Sequence, residues 1–282
     1  MSTMLALSEG IHDDIPNEVY HQEIDAVSST TLKGLLDPSN FGLFDERGRA
    51  PFKRSAALDF GTVAHSILLE GDASVVRRLE FDNYRSKAAQ EARDAAYAEG
   101  LIPLKPQEQE QVDAVVNAVR GHGLADALLT GHVAEQTFIR RDPDTGVLVK
   151  VRTDARTPGI ITDLKTAMSA NPVKFQNDVI PERGYDLSAA LYVDTVQAIT
   201  GEEQLFFIIA VEKADPFRVS VIQIGDEYLE IGRRKYRHAL ELYRIGRKTG
   251  QWPDVFVARP PTWVTRAADN LPIDNPIPTT GA

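Results

Sequence analysis

The stretch from residue 133 to 167 constrains the fold more than any other part of the chain. VAEQTFIR at 133–140 has strand composition, DPDTG at 142–146 reads as a turn, and VLVKVRTDA at 147–155 alternates cleanly. Val147, Val149 and Val151 point to one side of that strand, and Lys150, Arg152 and Asp154 to the other, as the two-residue period of an extended chain requires. Thr157-Pro158-Gly159 is a second turn, and IITDLKT follows as a third strand. Three consecutive strands joined by short turns predict an antiparallel meander.

Downstream, the pattern predicts a helix over 185–199, strands EQLFFIIAVE and FRVSVIQI around the turn Ala214-Asp215-Pro216, and a long helix over 226–249. The order β-β-β-α-β-β-α predicts a mixed sheet with helices packed on it, an α+β or mixed α/β fold. Upstream, the chain reads mainly as helix. Ser28-Ser29-Thr30-Thr31 precedes Leu32, Leu35 and Leu36 as an N-cap precedes an apolar stripe. LDFGTVAHSILLEGD carries Val63, Ile67 and Leu68 on a buried stripe ending near Gly71, and further helices are expected over 84–99 and 107–119. Three regions are expected: a helical N-terminal part over 1–125 packed on the core, the core itself over 126–255, and an irregular Pro-rich tail over 256–282.

The meander also concentrates reactive groups. Asp163 and Lys165 are two apart on one strand and share a face. An antiparallel hairpin brings Asp154 beside Asp163. Two close carboxylates repel unless a cation lies between them. Mg2+ favours such oxygen ligands, completed by water and substrate phosphate, and a neighbouring lysine can hold or deprotonate the attacking water. The plain alternative is a solvated Asp/Lys pair on a strand face, and the residues alone leave both readings open. His65 is a second candidate, either a hydrogen-bonded core histidine or a metal ligand. The final helix is a third: RRKYRHALELYRIGRK crowds cations around an apolar stripe of Leu229, Tyr236, Leu240 and Tyr243. Arg233, Arg237, Arg244 and Lys248 recur at near-helical spacing, either as a solvated face or as a surface that tracks phosphates.

Composition narrows the function classes. Net charge is 31 − 41 = −10, which argues against a nonspecific coating of nucleic acid but leaves room for a local basic groove. The chain has no cysteine, which excludes thiolate metal sites, cysteine-ligated iron–sulfur clusters and cysteine nucleophiles. The opening MSTMLALSEG lacks the features of a signal peptide, and no apolar run approaches the ~20 residues that span a bilayer, so a cytoplasmic protein is expected.

Taken in order, YHQEIDAVSSTTLK, FGTVAHSILLE, KVRTDAR, ITDLKTA, YDLSAALYVD and VEKADPFRVSVIQI resemble the PD-(D/E)XK nuclease superfamily, and within it the RecE-type exonucleases and their phage relatives. The resemblance runs from about Tyr20 to Trp252. It implies a restriction-endonuclease-like core, a central mixed sheet flanked by helices. It also implies roles: Asp154 and Asp163 as acidic metal ligands, Lys165 as the catalytic lysine, and His65 as a further member of the metal shell. Glu135 stands where related enzymes often carry an acid, and Tyr185 and Tyr192 match the helix after the core. Ser188 replaces a glutamine usual in relatives, a departure that leaves the metal ligands untouched. The implied activity is Mg2+-dependent exonuclease digestion of linear double-stranded DNA from the 5′ end, with Mn2+ as a substitute cation. The implied setting is recombination, beside a single-strand annealing protein and in a ring-like homo-oligomer. The alternatives are a catalytically idle DNA-binding or assembly module of the same fold, or a Cas4- or AddB-like nuclease. The latter commonly carry a cysteine-bound cluster that this chain cannot build.

Overall fold

The meander forms as its alternation predicts. In the computed structural model, which describes residues 7–44 and 56–269, the strands are β1 (Gly10–His12), β2 (Val76–Arg78), β3 (Ile102–Leu104), β4 (Val133–Arg141), β5 (Leu148–Thr157), β6 (Ile160–Ala167), β7 (Leu205–Glu212) and β8 (Val219–Gln223). A six-stranded mixed sheet runs in the order β1-β4-β5-β6-β7-β8, while β2 and β3 form a separate parallel pair. All neighbours in the large sheet are antiparallel except β6 and β7, and the connection between those two crosses over through helices.

The helices are α1 (Asn17–Gln22), α2 (Ser29–Leu36), α3 (Ala56–His65), α4 (Lys87–Ala98), α5 (Pro106–Gly121), α6 (Gly123–Leu128), α7 (Pro172–Lys174), α8 (Ile180–Arg183), α9 (Tyr185–Thr200), α10 (Asp226–Thr249) and α11 (Thr262–Asp269). As predicted, Ser28 caps α2, its hydroxyl accepting from the Thr31 N–H. Apolar side chains divide into two main layers. Leu32 and Leu35 of α2, Leu187 and Leu191 of α9, and Tyr236 and Leu240 of α10 join Phe138, Val149, Val151 and Ile161 in one core. Phe60 and Val63 of α3, Val112 and Val115 of α5 and Ala125 of α6 join Ala155, Leu164, Ile209 and Val211 in the other. The sheet is therefore covered on both sides, a mixed α/β arrangement.

Three features add to the sequence expectations or depart from them. The N-terminal part is not helical throughout: β1 adds an edge strand to the sheet, pairing Gly10–His12 with Thr137–Ile139, and β2 and β3 lie further along. Lys150 and Arg152 are buried, at 5% and 7% exposure. Residues 15–24 cover them, and main-chain carbonyls satisfy their charges. Lys150 donates to Tyr20 O at 2.5 Å and Ile24 O at 3.1 Å, and Arg152 donates to Ile15 O at 2.8 Å. Finally, the expected irregular tail contains α11. TWVTRAAD lacks Gly and Pro, and the Pro261 carbonyl accepts from the Val264 N–H, so one short helix forms behind the prolines. Residues 256–261 are irregular as expected, and 270–282 lie outside the described residues. Among the described residues no helix is long and apolar enough to cross a membrane.

Candidate active site and metal centre

The hydrogen-bonded ladder between β5 and β6 consists of Ala155↔Thr162, Arg156↔Ile161 and Thr157↔Ile160. One step further come Asp154 and Asp163. Here side chains take over the work of the ladder. The Leu164 N–H donates to Asp154 Oδ2 at 2.9 Å, and Leu164 O accepts from His65 Nε2 at 2.6 Å. One residue of β6 thus has both main-chain groups satisfied by site side chains.

That second bond fixes the histidine. With Nε2 donating to a carbonyl, neutral His65 carries its lone pair on Nδ1, which lies 3.6 Å from Asp154 Oδ2. His65 stands at the end of α3, where the helix widens into the π-helical turn Ser66–Glu70 and stops at Gly71, φ 67°. Such turns are rare and often sit at functional sites.

Glu135 approaches from β4. The β4–β5 register, Ala134↔Ala155 then Gln136↔Thr153, sets Glu135 opposite Asp154. Its backbone takes the left-handed conformation, φ 49°, uncommon for a residue with a side chain. Ligand atoms of His65, Glu135 and Asp154 all lie within 4.8 Å of one another. One imidazole nitrogen and two carboxylates in that space suit a divalent cation. The sequence reading placed His65, Asp154 and Asp163 in the metal shell. The geometry puts Glu135 in the tight cluster, while Asp163 turns to Lys165, whose Nζ is 2.6 Å from Asp163 Oδ2 and 3.6 Å from Asp154 Oδ2.

The electrostatics follow from burial and these contacts. Burial and the neighbouring Asp154 raise the Glu135 pKa to about 8, against the pull of Arg152. Burial raises Asp163 to about 6, with Lys165 opposing and Asp154 adding to the shift. Burial also works to raise Asp154, but Lys165, His65 and the Leu164 N–H outweigh it and hold the carboxyl below its usual range. Burial works to lower Lys165, and the facing Asp163 and Asp154 reverse the effect, so its ammonium is strongly retained.

These shifts predict a proton count. At pH 7 the Glu135 carboxyl is largely protonated, and a cation must displace that proton to bind it. Calorimetric titration of Mn2+ in buffers of different ionisation enthalpy is expected to show about one proton released, and Glu135→Gln should release markedly less. Heats independent of buffer would remove Glu135 from the shell. The same carboxyls bear on stability. A carboxyl whose pKa is raised by folding binds protons better folded than unfolded, so the metal-free protein should lose stability as pH rises from about 4 to about 8. Added cation should restore it, and more at pH 8 than at pH 6.

Tyr185 begins α9 beneath the site. Its ring stacks on Phe175 at 6.2 Å and lies 5.7 Å from the Lys165 ammonium and 5.7 Å from that of Lys33. Tyr192, two turns on, packs edge-on against Phe206, and burial raises its phenol pKa. Ser188 lies half-buried between them. A cleft of about 1300 Å³ opens over the cluster, lined by His65, Glu135, Arg152, Lys165 and Tyr185 and bounded by Glu70, Lys174, Arg183 and Lys213. Arg152 is a site residue that the alternation placed on the Asp154 face without assigning it work. Its Nε lies 3.9 Å from Glu135 Oε2, and its guanidinium lies 4.1 Å from the centre of the Tyr20 ring.

The basic stripe of α10 is not among the described residues that line this cleft. Arg233 is held by Asp194 of α9 at 2.9 Å. Arg237 pairs with Asp142 and with Asp144, the latter at 3.0 Å, and Arg244 pairs with Glu241 at 2.5 Å. Only Lys248 of the four is simply exposed. The apolar face of α10 packs on α2 and α9, which brings its arginines against carboxylates of neighbouring elements.

A family model described as a PDDEXK-like domain of unknown function (DUF3799) matches residues 28–255. The chain belongs to this PDDEXK-like family. The DUF3799 match spans the α2 cap, His65 and the whole meander. The fold of this PDDEXK-like chain is similar to that of a provisionally named exonuclease from Eubacterium rectale, with a TM-score of 0.61, 17% identity, and coverage of 92% of this chain and 100% of the other. An alkaline exonuclease from Laribacter hongkongensis aligns over 75% of this chain and 97% of its own, at 12% identity and a TM-score of 0.31. No curated protein matches the chain.

Proposed function

We infer that this chain is a metal-dependent deoxyribonuclease. The observation that carries the reading is the convergence of His65, Glu135 and Asp154 within 4.8 Å, beside an Asp163–Lys165 pair at 2.6 Å, at an open cleft that His65, Glu135 and Lys165 line. His65 Nδ1, Glu135 and Asp154 would hold the cation, with Asp163 alongside. A divalent ion there supplies Lewis acidity to a phosphoryl oxygen and acidifies a bound water. Lys165 keeps its proton, so it serves as a hydrogen-bond donor that orients the water and offsets charge developing on the phosphate, not as a base. Tyr185 supports the lysine from below, and Arg152 steadies the Glu135 side.

In the finer form of this reading, the enzyme is a RecE-type exonuclease. It digests linear duplex DNA from the 5′ end with Mg2+, or Mn2+ as a substitute, and leaves a 3′ strand for recombination. It works beside a single-strand annealing protein and as a ring-like homo-oligomer. The test is digestion of linear and closed circular duplex in Mg2+ or EDTA. Loss of linear DNA alone, only with metal, is the expected result. Cutting of closed circles would point to an endonuclease. Binding without cleavage in any divalent ion would point to an idle module.

A further inference from the structure

We propose that the cleft rim formed by Met168, Lys174, Arg183 and Lys213, with the exposed Val173 next to Lys174, is the track along which a nucleic-acid strand reaches the metal cluster, the three cations meeting its phosphates and the two apolar side chains its bases or sugars. The proposal rests on the nuclease reading of the site and says where the substrate lies.

The chain is acidic, and its cations are commonly matched, as in Arg233–Asp194, Lys235–Asp186 and Arg218–Glu212. Lys174, Arg183 and Lys213 differ. Among the described residues none has a carboxylate within 4.0 Å, although Glu182 lines the same wall. Arg183 and Lys213 are close enough that Arg183, after burial, adds to the destabilisation of the Lys213 ammonium. Cations drawn together without an intervening acid create a standing attraction for an anion.

The shape of the rim fits the same ligand. Met168, on the loop that follows β6, is 87% exposed, and Val173, on α7 at the end of that loop, is 66% exposed. This loop is tied down. The Lys213 N–H donates to Ala167 O at 3.1 Å, and the Ala170 N–H donates to Glu212 Oε1 at 3.1 Å. Asn171 caps α7 by accepting from the Lys174 N–H at 3.0 Å. A fixed loop that turns a methionine outward at the mouth of a charged cleft offers apolar contact beside phosphate contacts. That combination suits a nucleic-acid strand better than an acidic peptide.

Met168 is three residues from Lys165 and Arg183 two from Tyr185, so the elements that build the chemistry also build the rim.

The test is equilibrium binding of the full chain to a short linear duplex at several salt concentrations, in Ca2+. The triple variant Lys174→Ser, Arg183→Ser, Lys213→Ser should bind more weakly and flatten the plot of log affinity against log salt by roughly 2–3 units. Met168→Ser should weaken binding several-fold and leave the slope alone. Arg234→Ser with Arg247→Ser on α10 should leave the slope as in the wild type. If the triple variant does not fold, each single variant should lower the slope by about one unit. An unchanged slope in the folded variants overturns the track. Tight wild-type binding without cleavage in Mg2+ or Mn2+ would overturn the nuclease reading and keep the track, while absence of wild-type binding would overturn both.

Discussion

Asp154→Asn is expected to slow metal-dependent cleavage of linear duplex DNA by about a thousandfold, at the upper end of what one preorganised electrostatic group contributes. Asn keeps the shape of the side chain and an oxygen able to accept the Leu164 N–H, now at 2.9 Å. The junction between β5 and β6 should therefore survive. What is lost is charge. Asp154 faces His65 Nδ1 at 3.6 Å and Lys165 Nζ at 3.6 Å, so a neutral amide removes an anionic group from the proposed cation site and one of the two carboxylates that hold the ammonium. Lys165 remains beside Asp163 at 2.6 Å, which keeps a buried cation from standing alone. Single-turnover cleavage in Mg2+ and thermal melting in EDTA separate the two effects. Cleavage near the wild-type rate in a folded variant would mean that the cation is held elsewhere.

The contrast between what the sequence reveals and what it conceals follows from the range of the interactions. The meander, α9 and α10 are legible because their information is local: period-two alternation in VLVKVRTDA, turn residues at 142–146 and 157–159, and an amphipathic stripe over a full helix. Asp154, Asp163 and Lys165 belong to that same local record. β1 is three residues long, too short for any period, and exists because β4 offers it an edge more than a hundred residues away. Glu135 lies on a strand that was foreseen, but its place against His65 and Asp154 depends on the β4–β5 register and on a left-handed backbone that composition does not signal. Helix α10 shows a second limit of that local record. Its cations are visible in the sequence, but the carboxylates that pair with Arg233 and Arg237 come from Asp194 on α9 and from the turn at Asp142, so a stripe of charge does not reveal which of its members are free. Lys174 and Arg183 end two short helices and Lys213 follows β7, and only the folded chain assembles them.

Gly232→Ala is expected to destabilise the protein by about 3 kcal/mol or more, the upper range for forcing an extra methyl into a packed interior. In an isolated helix the same change would stabilise by ~1 kcal/mol, so the sign depends on what stands opposite. A Cβ on Gly232 would lie 2.1 Å from the Asp186 carbonyl oxygen, 2.6 Å from its carbon and 2.8 Å from Ala190 Cβ. Main-chain atoms cannot swing aside, so α9 and α10 would have to part. Two side-chain bridges resist that movement, Lys235 to Asp186 at 2.5 Å and Arg233 to Asp194 at 2.9 Å. At roughly 2–4 °C per kcal/mol for a chain of this size, the melting midpoint should fall by roughly 6–12 °C. Gly246→Ala is the comparison. Its Cβ would meet the Trp252 ring at 2.4 Å, but a side chain can rotate where a backbone cannot, so its loss should be smaller. An unchanged midpoint in Gly232→Ala would show slack between the two helices. The expected fall should also reach the site, because α9 begins at Tyr185, whose ring lies 5.7 Å from the Lys165 ammonium. Displacing that helix moves the support of the lysine, so cleavage in Gly232→Ala should decline at temperatures where the chain is still folded.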